Sequence, residues 1–379
     1  MKHYDVLVVG GGILGLGHVW AAARRGLRVA LLERSHQAQG ASVRNFGQVL
    51  VTGQAPGIML ELARESRQLW LELAQQAQCQ LSTQGSLFLA RNHAEMQVLD
   101  NYYHERANSL NVKCQLLTAH ELAQHFGGRL AHHHGALQGL DDLQLYSRAA
   151  LPTITYYLQQ QGVHILTGTH VHAAAEGQLD SSAGRFQADT IFICPGHDYV
   201  GLHAPLLQSM SLSVSRLQML KVRAEHPVWH SLDRPLLTGL SCLHYGAFSD
   251  LPAAQHLRLL IENQQPELLE RGIHLLISPS PEGDLIIGDS HDYGLQASPF
   301  NYERTDEVLL DLARSVLACP VKVIERWQGV YGAKGPGPYS VLRPDGQTWI
   351  SLMHTGLGMS TGLAIAERNM ASHYGKVSF

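Results

Sequence analysis

YDVLVVGGGILGLGHVWAAARRGLRVALLER, residues 4–34, decides how the rest of the chain is read. The apolar run from Val6 to Val9 suits a buried parallel strand. It runs into Gly10, Gly12 and Gly15, spaced G-x-G-x-x-G. The first glycine permits a tight turn, the second lets a pyrophosphate approach the backbone, and the third lets helix and strand pack closely. A helix starting there, with Ile13 and Leu14 in its first turn, turns free N–H groups and a positive dipole end toward phosphate. Gly26 closes the helix and Val29 to Leu32 makes a second strand. Glu33 ends that strand, placed to accept hydrogen bonds from an adenosine ribose, with Arg34 beside it. The segment therefore predicts dinucleotide binding. Two rivals compete. The apolar run from Val6 to Ala23 resembles a signal peptide or membrane span, but its five glycines make a poor spanning helix and an αβ continuation follows at once. The other rival is an ordinary NAD site.

Composition narrows the class. At 379 residues two domains are the default, and 45 % apolar with 16 % charged residues fits a globular enzyme. A net charge of −4 supplies no basic field, so nucleic acid is not expected as a partner. The five cysteines (79, 114, 194, 242 and 319) contain no C-x-x-C pair, which points to reduced thiols and a cytoplasmic location. No metal is expected: His132 to His134 lack a carboxylate or cysteine at ligand spacing and suit a solvated loop. Cys194 suits a small buried strand residue, with no histidine–acid partner legible beside it.

Further along, Pro56 to Gln80 predicts an amphipathic helix, Gly85 to Ala90 a strand, and Ala94 to Asn108 a helix. Thr118 and Glu121 form a capping box. Gly135 to Gln144 predicts a strand and turn, Tyr146 to Gln160 a helix, and Val163 to Thr167 a strand. ADTIFICPGHD, 188–198, predicts a strand and a sharp turn at Pro195 and Gly196. Between 205 and 325 the runs Leu217 to Arg223, Leu257 to Ile261, His274 to Ser278 and Leu285 to Gly288 predict an antiparallel sheet. Thr305 to Ala318 predicts a helix. SLMHTGLGMSTGLAIAE, 351–367, predicts a glycine-rich turn into a terminal helix, a second backbone anion site that an NAD dehydrogenase does not need.

The fingerprint with ASVRNFG, 41–47, resembles the D-amino-acid oxidase superfamily of flavoproteins, which includes glycine oxidase and sarcosine oxidase. The resemblance covers nearly the whole chain. It implies an α/β, α+β overall, fold of the glutathione-reductase-2 type: a Rossmann-like FAD domain with a parallel sheet (1–85, 145–204 and 326–379) and an antiparallel-sheet substrate domain (86–144 and 205–325). It implies FAD contacts from Gly10, Gly12, Ile13, Leu14, Gly15, Glu33 and Arg34. Ser42, Arg44, Asn45, Phe46 and Gly47 follow in the segment beside the flavin ring. Val171, Pro195, Gly196, His197 and Gly332 come next, and Gly356, Leu357, Gly358, Met359, Ser360 and Thr361 form the closing turn. Amino-acid-oxidising relatives carry a carboxylate-binding arginine where Tyr331 stands here, and lysine or tyrosine cannot reproduce its fork. Lys334, Arg216 and Arg223 are the available cations. With no cysteine beside Tyr331 and no histidine in ASVRNFG, the FAD is expected to be noncovalent.

ASVRNFGQVLVTGQ (41–54), TGLSCLHYGAF (238–248) and the last fifty residues are similar to a subgroup associated with breakdown of 2-aminoethylphosphonate and its N-methyl derivatives. The resemblance implies oxidative deamination of a small amine, with oxygen or another acceptor taking the electrons. Gln48, Tyr245, Tyr331, His244 and Lys334 are the expected substrate contacts. Three alternatives stand beside it: an oxidase of glycine, sarcosine or a D-amino acid, a dehydrogenase of the same fold, and a flavoprotein whose structural FAD serves a binding partner.

Overall fold

The structure is a computed structural model describing residues 2–375. The opening strand, Lys2–Val9, is the centre of an eight-stranded sheet. It pairs in parallel with Val29–Leu32 on one side and Gly184–Ile193 on the other. His164–Leu166 and Thr348–Met353 extend the sheet outward, also in parallel, and Tyr339–Leu342 adds an antiparallel edge. The chain leaves the first strand toward one edge and returns on its other side. Its carboxyl end is thus a topological switch point, where open α/β sheets bind ligands.

The helix Ile13–Ala23 follows that strand, and the C-terminal helix Gly358–Tyr374 lies against it. Gly17 allows the approach: a Cβ there would lie 3.0 Å from the Ala366 Cβ and 3.2 Å from Leu363. Helix Ile58–Ala77 completes this layer, and its buried Trp70 donates to the Met359 carbonyl at 2.8 Å. A ring this size in an apolar core contributes about 2–3 kcal/mol, provided its N–H is satisfied as it is here.

A second, nine-stranded sheet covers the carboxyl end of the first. Its long ladder joins Ser213–Ala224 to Val321–Lys334 in antiparallel pairing. The strands Leu276–Pro279 and Leu285–Gly288 continue it. One pair, Leu236–Thr238 with Ser86–Ala90, is parallel, so the sheet is mixed rather than purely antiparallel. The expected domain boundary at 326 falls inside Val321–Lys334, which pairs in this second sheet from end to end apart from bulges at Ile324 and Ala333.

Residues 257–261, expected as a strand, lie within helix Pro252–Gln264. Ala253, Ala254, Leu257 and Ile261 share its buried face, a helical period that a five-residue apolar window cannot reveal. His133, expected in a solvated loop, is buried with Nε2 3.1 Å from the Val316 carbonyl, whereas His132 and His134 are exposed. All five cysteines are free. Among the described residues no helix is long and apolar enough to cross a membrane.

Candidate active site

A cavity of about 440 Å³ opens between the two sheets. Its floor is built from two helix N-termini. Ile13 and Leu14 begin one, and Leu357, Gly358, Met359 and Ser360 begin the other. Neither helix has a side-chain cap from its N-cap residue or an acid in its first turn. Each terminus carries about half an elementary positive charge with several N–H groups unused, a floor suited to an anion. Ser42 fixes one of them by accepting from the Ile13 N–H at 2.9 Å.

Glycine is a geometric requirement at this floor. Gly10 has φ +100°, and a Cβ there would lie 2.4 Å from the Cys194 carbonyl oxygen. A Cβ on Gly15 would lie 1.8 Å from the Gly10 carbonyl oxygen. Glu33 lines a neighbouring cavity of about 740 Å³ and accepts from the Gly11 N–H at 2.7 Å and the Ser35 N–H at 2.9 Å. Arg44 lines both spaces.

Most expected cofactor contacts meet in the first cavity. Gly12 through Gly15, Ser42, Asn45, Phe46, Gly196, His197, Gly332 and the 356–360 turn all line it. Asn45 is held by its own segment, donating to the Ala41 carbonyl and accepting from the Gly47 N–H. Others lie outside the lining. Arg34 pairs with Asp198 at 2.7 Å on the surface, Val171 is buried in an apolar cluster, and the Thr361 hydroxyl donates to the Leu357 carbonyl. Pro195 and Gly47 shape turns. Cys194 does line the cavity, 3.7 Å from the His18 imidazole, and burial pushes its thiol far above the ordinary range.

The roof holds the other polar groups. Gln48 is buried; its amide N–H donates to Ser278 at 2.9 Å and its Oε1 has no partner. Tyr245 packs edge-on against Phe88. Tyr331 reaches over the closing turn because position 356 is glycine; a Cβ there would lie 3.1 Å from its ring. Lys334 is the correction. It is exposed and outside the lining, at the end of its strand beyond a bulge at position 333. Arg216 and Arg223 are committed to Asp292 and Asp284, both at 2.6 Å.

Three residues were missed in the sequence: His274, Asp289 and His291. With His244 they form a cluster above the cavity. The Asp289 carboxylate lies 3.0 Å from His274 Nε2, outside aligned hydrogen-bond geometry, and 3.7 Å from His291 Nε2. Burial opposes Asp289 ionisation, but His274 and His291 hold its carboxyl well below the usual range. Burial, with the neighbouring imidazoles, pushes His244 well below its ordinary value, and burial also lowers His291. One nitrogen from each of the three histidines falls within 4.8 Å of the others. Their rings stack, at 22° between His244 and His274 and 14° between His274 and His291.

Known proteins give the family and the fold. A family profile described as DAO, FAD dependent oxidoreductase, matches residues 5–368. No curated protein matches the chain in sequence. Among solved structures, glycine oxidase from Geobacillus kaustophilus superposes with a TM-score of 0.75 at 20 % identity, covering 100 % of this chain and 96 % of its own. Glycine oxidase from Bacillus cereus gives 0.76 at 16 % identity over 99 % and 96 %. L-Proline dehydrogenase from P. horikoshii gives 0.75 at 14 % over 100 % and 95 %. At such identities the likeness is one of fold.

Proposed function

Because the chain belongs to the DAO family of FAD-dependent oxidoreductases, we propose that it oxidises a small amine at the carbon next to nitrogen, with 2-aminoethylphosphonate or its N-methyl derivative as substrate. The observation that carries this reading is the missing carboxylate clamp. Tyr331 occupies the roof, and among the described residues no lysine lines the cavity and Arg44 is its only arginine. An α-amino acid would have no arginine in the roof for its carboxylate, whereas an amine without a carboxylate needs none there. The phosphonate rests on the resemblance of 41–54, 238–248 and the last fifty residues.

The residues present fit FAD. The two uncapped helix N-termini suit its pyrophosphate and its negative charge when reduced, and Glu33 suits the ribose. Gln48 Oε1, buried without a partner, awaits an N–H from cofactor or substrate. Binding is noncovalent: the lining cysteine is a buried thiol, not a nucleophile. When bound, FAD supplies the acceptor for the substrate hydride and hands the electrons to oxygen or another acceptor. The chain's own part is to orient the amine between floor and roof and to exclude water. The resulting imine hydrolyses to an aldehyde and ammonia or methylamine. We also propose the two-domain division, with all of Val321–Lys334 moved to the substrate domain.

The test is the anaerobic visible spectrum of the holoenzyme before and after adding each aminophosphonate. Bleaching of the yellow flavin supports the reading. Bleaching by glycine, sarcosine or a D-amino acid, and not by an aminophosphonate, refutes the substrate. No bleaching by any amine refutes amine oxidation.

A further inference from the structure

We propose that His244 is a general base for the substrate amine, taking a proton from its ammonium form, with Asp289 as counter-charge to the imidazolium that results. The inference rests on the amine-oxidation reading and adds a group that touches the substrate. Of the three stacked imidazoles, two are engaged. His291 Nδ1 lies 2.8 Å from the Gly272 carbonyl and must donate there, so its Nε2 accepts the Tyr331 hydroxyl at 2.9 Å. His274 meets the Ser241 hydroxyl at 3.1 Å and the Asp289 carboxylate at 3.0 Å. His244 lines the cavity and is exposed to it, with ring contacts but no hydrogen-bond partner for its nitrogens among the described residues.

The surroundings favour a cationic guest. Because the Tyr331 proton is directed to His291, its oxygen is left as an acceptor. Gln48 Oε1 is a second free acceptor, and among the described residues Asp289 is the only carboxylate in the lining. A simple amine with pKa near ~10 is only about one part in a thousand free base at pH 7. Hydride loss needs the nitrogen lone pair, so a site without a base would have to wait for that minority. With His244, an ammonium N–H bond breaks, an imidazole N–H bond forms, and the lone pair is released on the substrate. The groups facing His244 are His274, His291, Asp289 and Tyr245, with Tyr331 and Tyr293 beyond His291. Its enclosed position and the neighbouring imidazoles leave His244 neutral at neutral pH, and Asp289 pulls the other way, favouring the imidazolium that the transfer creates.

Two measurements on the holoenzyme decide it. In anaerobic stopped flow at saturating amine, flavin reduction should be flat between about pH 7 and 9 in the parent. In His244→Gln it should rise about tenfold per pH unit, as the free-base fraction does. A purely structural role would lower the rate without adding a slope, so parallel profiles overturn the proposal. The second measurement uses tert-butylamine, which has no C–H next to nitrogen and is not oxidised. Imidazole 15N NMR at pH 8, parent against His244→Gln, reads the protonation of His244 on binding. An imidazolium signal that His244→Gln lacks is expected in the parent, with affinity at least tenfold weaker in Asp289→Asn. A neutral His244 in the amine complex, or no binding, overturns the proposal. If no amine reduces the flavin, amine oxidation fails while the imidazole signal still judges the base.

Discussion

Gly15→Ala sets two effects of opposite sign against each other. Alanine in a helix interior stabilises by about 1 kcal/mol over glycine. At position 15 its Cβ would stand 1.8 Å from the Gly10 carbonyl oxygen, where real Cβ contacts stay above 3.0 Å. The helix must therefore retreat by at least 3.0 − 1.8 = 1.2 Å from the turn, or the turn from the helix. Forcing atoms into a packed interior costs about 1–3 kcal/mol, and backbone is less able to yield than a side chain, so the clash wins. Set against the helix gain, the apo protein should lose up to about 2 kcal/mol, a Tm lower by up to a few degrees. Cofactor binding suffers more. Misplacing one or two N–H donors to a charged pyrophosphate costs about 1.5–3 kcal/mol, a Kd for FAD raised about 10- to 100-fold. Titration of FAD into apo protein, followed by fluorescence, and melting of apo and holo forms measure both. Gly40→Ala is the control, since a Cβ there meets nothing within 4 Å and φ is −81°. A Gly15→Ala protein with unchanged melting and an FAD affinity within twofold of the parent refutes the reasoning.

Tyr331→Phe removes the hydroxyl that donates to His291 Nε2 and leaves a buried acceptor unpaired, at about 1–3 kcal/mol; amine binding should weaken at least tenfold, and unchanged kinetics would remove Tyr331 from the site. Lys334→Ala, outside the cavity, should leave amine oxidation within twofold of the parent in steady-state assays. His18 is buried and pushed down from 6.5 to about 4 by desolvation. Between those values the unfolded chain holds a proton that the folded one does not, so stability is lost as pH falls from 6.5 to about 4. The full difference is about 3 kcal/mol, and equilibrium denaturation of His18→Gln should show a shallower acid-side loss than the parent.

The floor was legible in the sequence because its chemistry is local. A strand, three spaced glycines and a helix lie within 6–23, and the closing turn lies within 356–361, so each announces itself in one window. The roof was not. His244, His274, Asp289 and His291 come from separate loops and strand ends, brought together only by the pairing of Leu276–Pro279 with Leu285–Gly288 and the turn that follows. The segments GIHLL and GDSHD carried the signal, polar groups at the mouths of apolar strands, but no spacing rule links them to His244. Helix Pro252–Gln264 was hidden for another reason: only the Pro252 start and positions 253–261 together show a helical period.

The packing of helix Ile13–Ala23 against helix Gly358–Tyr374 fixes an order of events at synthesis. From residue 23 to residue 358 the ribosome must add 335 residues, which takes about 17–67 s at 5–20 residues per second. For that interval the apolar N-terminal hairpin of strand and helix has emerged without its permanent cover. The first strand gains its second neighbour only when 184–193 arrives, and the helix waits for residues 358–374. FAD therefore meets a finished floor only after those residues have been made. Nascent chains stalled before residue 358 should depend on chaperones and capture no flavin, however complete the fingerprint at their N-terminus.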